Sequence, residues 1–74
     1  MMNPAEIVSM IQSEIPDAQV HPEGEGCSFK ITVVSSEFAG KTMLQQHQRV
    51  NKILSPSLAS GALHAVTLVT RTPT

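Results

Sequence analysis

A chain of 74 residues, 41% hydrophobic and without tryptophan or tyrosine, suffices for one domain with a thin core and is too short for a second fold or a deep active-site cleft. Its net charge of −1 hides two unlike halves: residues 1–37 hold all six acids and one base, Lys30, whereas residues 38–74 hold Lys41, Arg49, Lys52 and Arg71 and no acid, −5 against +4. One cysteine excludes an internal disulfide, no secretory leader opens the chain, and no apolar run approaches the roughly 18 residues of a membrane span, so a reducing cytoplasm and no membrane partner are expected.

Asn3-Pro4-Ala5-Glu6 reads as a helix start, with Asn as cap, Pro at the first helical position and Glu6 placed to reach back to the cap. Ile7, Val8, Ile11 and Ile15 follow at one-face spacing, which predicts a helix over 4–15, stopped by Pro16. Ala18 to His21 reads as a short strand, and Pro22-Glu23-Gly24-Glu25-Gly26 as an acidic, turn-rich connection. Ser28 to Ser35 alternates Phe29, Ile31 and Val33 against Lys30, Thr32 and Val34, the period of a half-buried strand. The two strands form a hairpin, with Cys27 at its rim.

From Lys41 to Leu54, the apolar residues Met43, Leu44, Val50, Ile53 and Leu54 fall on one helical face, and Lys41, Gln45, Gln48 or Arg49, and Lys52 form a basic stripe on the other. Ser55-Pro56 is expected to break this helix and open a short third one running to Gly61. Leu63 to Thr70 alternates again as a third strand. The order α-β-β-α-α-β predicts an α+β two-layer sandwich with a three-stranded sheet.

Gly40-Lys41-Thr42 has the ending of a phosphate-binding loop, but the required glycine five positions before Gly40 is Ser35, so the match fails. His47, three or four positions from Met43, Leu44 and Val50, is expected to be a satisfied core histidine. His64, where a loop meets the last strand, can stay exposed enough to bind a metal or a partner, and His21 is a weaker candidate. Cys27 is either a metal ligand or a small turn residue. One thiol and one imidazole make half of a four-ligand zinc or iron–sulfur site, so a complete site needs a second molecule. No nucleophile elbow or catalytic carboxylate pair is present, and the expected role is not enzymatic.

Phe38-Ala39-Gly40-Lys41, then His47-Gln48-Arg49-Val50-Asn51 on a helix, then His64-Ala65-Val66 ahead of Thr72-Pro73, together resemble the BolA family over essentially the whole chain. The resemblance implies an α+β sandwich of the type-II KH-like kind and a heterodimer with a monothiol glutaredoxin. In that family the histidine matching His64 is a ligand to a [2Fe-2S] cluster shared by the two proteins, for cluster delivery or iron sensing, and the partner supplies its own cysteine and a bound glutathione. The second ligand comes from the loop between the first two strands. Cys27 matches it, with His21 as a substitute. A second function attributed to the family is transcriptional regulation through DNA, for which Lys41, Arg49 and Lys52 would contact phosphates. Gln46 and Gln48 stand where arginine is usual, which weakens that reading. A weak homodimer of the apo chain is a further expectation.

Overall fold

The first helix forms as its cap dictates. In the computed structural model, which describes residues 2–74, Asn3 Oδ1 accepts the Glu6 amide at 2.9 Å and Glu6 Oε1 accepts the Asn3 amide at 3.3 Å. Helix α1 runs Pro4–Glu14 and turns Ile7 and Ile11 into the core, joined just past its end by Ile15.

Strand β1 (Gln19–Glu25) and strand β2 (Ser28–Val34) form the antiparallel hairpin. β1 is longer than expected, because the acidic segment read as a connection is strand up to Glu25. Two features make this feasible. β1 is an edge strand, so the amide hydrogen that Pro22 lacks need not be supplied to a neighbour. Gly24 has φ +132°, and a Cβ there would lie 2.2 Å from the Ser28 carbonyl oxygen, an approach only glycine tolerates. The turn itself is reduced to Gly26 and Cys27, with Gly26 at φ +66° in the first central position, as two-residue hairpin loops favour.

After a single 3-10 turn at Ser36–Phe38, Thr42 caps helix α2 (Met43–Ser60) through a reciprocal pair with Gln45 at 3.1 and 3.0 Å. The expected break at Pro56 does not occur: α2 is one helix of 18 residues and no separate third helix forms. Pro56 is exposed, so the missing bond leaves a solvent-side carbonyl to water, and the buried Leu54 before it and Leu63 after the helix hold the segment against the core. The inward stripe also differs from expectation. Gln46, Val50 and Leu54 face inward, while Met43 and Leu44 are 57% and 66% exposed. Their turn is the helix's first, and the inward position there is taken by Gln46.

Strand β3 (Ala65–Arg71) starts two residues later than expected and pairs in parallel with β2, giving the order β1-β2-β3. The fold is α+β, two helices on one face of a mixed three-stranded sheet. Phe29, Ile31 and Val33 of β2 lie under Ile7, Ile11, Val50 and Leu54, with Phe38 and Leu63 closing the two ends.

Side-chain hydrogen bonds tie down the end of the sheet where β2 finishes. Asp17 accepts from the Ser35 hydroxyl at 2.6 Å, the Ser36 hydroxyl at 2.7 Å and the Ser36 amide at 2.9 Å. These bonds, the Ser35 hydroxyl first, lower its pKa from 3.8 to about 2. A carboxylate depressed in the folded state stabilises fully above its unfolded value of 3.8, and that contribution is lost as pH falls through about 2. Asp17→Asn is therefore expected to lower stability at neutral pH and to flatten the loss between pH 3.8 and 2, followed by circular dichroism in an acid titration. A residual slope remains from Glu37, which its hydrogen bond to Arg49 also holds below the ordinary carboxylate range. An unchanged slope in the variant would show that Asp17 does not carry this sensitivity.

Candidate metal centre

The parallel register of β3 on β2 determines which sequence-distant residues meet. Ser28 pairs with Ala65, so the residues just before them, Cys27 in the hairpin turn and His64 ahead of β3, are neighbours. The Cys27 carbonyl accepts two amides, from His64 at 2.8 Å and from Ala65 at 3.2 Å. Each side of this junction is fixed further. Leu63 is buried and its amide donates to the Ser57 carbonyl at 3.1 Å, while Met2, also buried, donates to the Gly26 carbonyl at 3.5 Å. The backbone polar groups thus satisfy one another and, among the described residues, leave both side chains without a hydrogen-bond partner. His64 is exposed, and Cys27 is half-buried with a free thiol.

The other two histidines lie elsewhere. His21 pairs with Thr32, which pairs with Val69. That row is four residues along the strands from the Ser28–Ala65 row, about 13 Å at the usual strand rise. The register therefore separates His21 from His64 and brings Cys27 to it instead. His47 is half-buried on α2, and its Nε2 is enclosed without a hydrogen-bond partner, so it is not the satisfied core histidine expected. The adjacent Gln46, by contrast, is fully partnered. Its Nε2 donates to the Lys41 and Phe38 carbonyls at 3.0 and 3.3 Å, and its Oε1 accepts the Thr70 hydroxyl at 2.7 Å.

Among the described residues no three His, Cys, Asp or Glu side chains gather as a metal-holding group. Cys27 and His64 are a pair of donors, one thiol and one imidazole, both types that iron–sulfur centres accept. Two donors are half of the four that such a centre needs. A surface depression of about 480 Å³ between the helices, lined by residues such as Met10, Ile53, Pro56 and Lys52, contains neither donor.

The family profile described as BolA-like protein matches residues 5–74. The chain belongs to the BolA family. It is 40% identical over 53 residues to a BolA-like protein of Dictyostelium discoideum, a match covering 72% of this chain and 46%, under half, of that longer protein. Its fold is similar to that of a BolA homologue from Coxiella burnetii (TM-score 0.83, 31% identity, 99% of this chain and 94% of the other). It is also similar to the BolA domain of SufE1 from Arabidopsis thaliana (TM-score 0.82, 26% identity, 99% and 96%).

In this BolA-family chain the basic stripe is partly neutralised from within. Arg49 Nε donates to Glu37 Oε1 at 2.6 Å and Lys41 Nζ to the same oxygen at 3.4 Å, while Arg49 Nη2 donates to the Glu14 carbonyl at 3.0 Å. Of the three bases proposed to meet phosphate, Lys52 alone has no ion pair among the described residues. Glu37 was the missed partner. Its spacing of four before Lys41 is a readable signal, but its reach to Arg49 depends on how the 3-10 turn sits over α2. The basic half is therefore less open to nucleic acid than its formal charge suggests. With Glu37 offsetting one of the three positive charges, binding to duplex DNA should show a log-affinity against log-salt slope near about −1.8, steepening toward about −2.7 in Glu37→Gln as Arg49 and Lys41 are released. A slope already near the steeper value in the unaltered protein would mean that the ion pairs open on binding, and would restore the DNA reading.

Proposed function

We propose that this BolA-family chain is a non-catalytic accessory protein that docks on a monothiol glutaredoxin and, through His64 and Cys27, co-ligates a [2Fe-2S] cluster held between the two. The partner supplies its cysteine and a bound glutathione. The observation that carries the reading is the Cys27 carbonyl bonded to both the His64 and Ala65 amides, which fixes the backbone of an exposed histidine beside that of the chain's one cysteine. The occurrence of a BolA fold as one domain of SufE1 supports a modular, accessory role.

The chemistry follows from the donor types. When bound, such a cluster supplies electron-transfer or iron-and-sulfide transfer chemistry, and neutral imidazole in place of a thiolate makes it less negative and raises its potential. The chain's own contribution is a rigid backbone behind two free donors, so little ordering remains to be done on docking. Its acidic rim, with Glu23 and Glu25 exposed on β1, borders the Cys27 turn and favours a partner surface carrying positive charge.

The test is reconstitution of the chain with a monothiol glutaredoxin, iron, sulfide and glutathione. A coloured heterodimer is expected, with visible absorption and circular dichroism altered in His64→Ala. His64→Cys should lower the cluster potential by on the order of 100 mV, the direction expected when thiolate replaces imidazole. Cys27→Ser should alter the spectrum as well. A His64→Ala heterodimer spectrally identical to the parent removes His64 from the ligand set.

A further inference from the structure

Four glycines have positive φ, and they do not all need to be glycine for the same reason. At Gly26 (φ +66°) and Gly40 (φ +76°) a Cβ would meet nothing within 4 Å, so only the left-handed backbone demands glycine. Gly61 (φ +83°) differs. A Cβ there would lie 3.3 Å from His64 Nε2 and 4.0 Å from His64 Cδ2, with nothing else as near. The His64 imidazole therefore lies across the α-carbon of the residue that ends α2, and a side chain at 61 would press on its Nε2 edge.

We propose that Gly61 is the positioning residue for His64: by having no side chain it seats the imidazole against the carboxyl end of α2 and leaves the Nε2 edge clear for a metal. The inference rests on the ligand role proposed above for His64.

The seat is firm. The Gly61 amide donates to the Leu58 carbonyl at 3.3 Å, the Ala62 amide to the Ser60 hydroxyl at 3.3 Å, and that hydroxyl in turn to the Ser57 carbonyl at 3.2 Å. On the far side the His64 amide is held by the Cys27 carbonyl. With the backbone fixed at both ends, a Cβ at 3.3 Å, a few tenths of an ångström inside ordinary contact distance, is accommodated by displacing the exposed His64 ring. The end of α2 is also a favourable place for positive charge, because the carbonyls of its last turn are oriented there.

Gly40 provides the matched control, having nearly the same φ and no neighbour. The apo chain carrying Gly61→Ala, Gly61→Asn or Gly40→Ala is followed by NMR. Asparagine tolerates the left-handed conformation better than alanine and keeps a folded Gly61 variant in hand. The unaltered chain should show nuclear Overhauser contacts between the Gly61 α-protons and the His64 ring. In both Gly61 variants the corresponding contacts should be lost and the His64 ring resonances displaced, with those of His21 unmoved as an internal reference. Gly40→Ala should leave all His64 signals in place. In the reconstituted heterodimer, cluster retention should fall about tenfold in the Gly61 variants, at the lower end of what displaced ligand-supporting residues cost, and remain parental in Gly40→Ala.

Unchanged His64 ring signals in the Gly61 variants, or equal displacement in Gly40→Ala, would overturn the proposal, as would a displaced ring with parental cluster retention. Loss of the ligand role itself is read separately, from an unaltered spectrum in His64→Ala.

Discussion

The parallel pairing of β3 on β2 is the constraint from which the rest of this small fold follows. A strand cannot lie parallel to its predecessor until the chain has travelled back along the sheet. β2 is seven residues long and α2 eighteen, about 23 Å of strand against about 27 Å of helix, so α2 alone makes the return. It is also the second helix needed to cover the sheet. Because β3 then begins where β2 begins, the residue before it falls against the hairpin turn. The meeting of His64 with Cys27 is a consequence of topology, and any insertion that shifted the β3 register would undo it.

The two ends of the sheet are finished differently, and the difference has functional meaning. At the end where β2 finishes, side chains do the tying: Asp17 to Ser35 and Ser36, Glu37 to Arg49, Gln46 to Thr70. At the hairpin end, the Cys27 carbonyl receives the incoming amides, and among the described residues neither the Cys27 nor the His64 side chain takes a hydrogen-bond partner. Backbone bonds fix the local geometry without consuming the polar groups that could act as ligands. The exposed Met43 and Leu44 belong to the tied end, so they are remote from the donor pair along β3.

The features legible in the sequence were those with local causes. The capping box at Asn3 and Glu6, the alternation of Phe29, Ile31 and Val33, and the basic spacing along α2 each depend on residues a few positions apart. The misreadings arose where tertiary context overrode a local signal. Pro56 sits in a helix because its lost bond faces water and apolar burial continues on both sides. Pro22 and Gly24 sit in a strand because that strand is at an edge and its backbone approaches Ser28 too closely for any side chain. Gln46, polar in composition, is buried because three backbone and side-chain partners converge on it. The Cys27–His64 pairing carried no periodic signal of its own; it came from the resemblance to the BolA family, and the parallel register gives it a physical cause.

A half-site imposes its own thermodynamics. Two donors from this chain hold an iron centre only weakly without the ligands of the partner, so in the proposed heterodimer cluster and partner are coupled: whatever factor the cluster adds to docking, docking adds to cluster retention. The coupling requires no conformational change, since the backbone behind both donors is already hydrogen-bonded in the free chain. Its strength should then depend on how well the side chains are aimed. Between the fixed backbone and a bound metal stand the Cys27 and His64 side chains, and the surface the His64 ring lies across is Gly61. A domain too small to enclose an active site can in this way contribute to one, by presenting a fixed backbone and leaving its donors free.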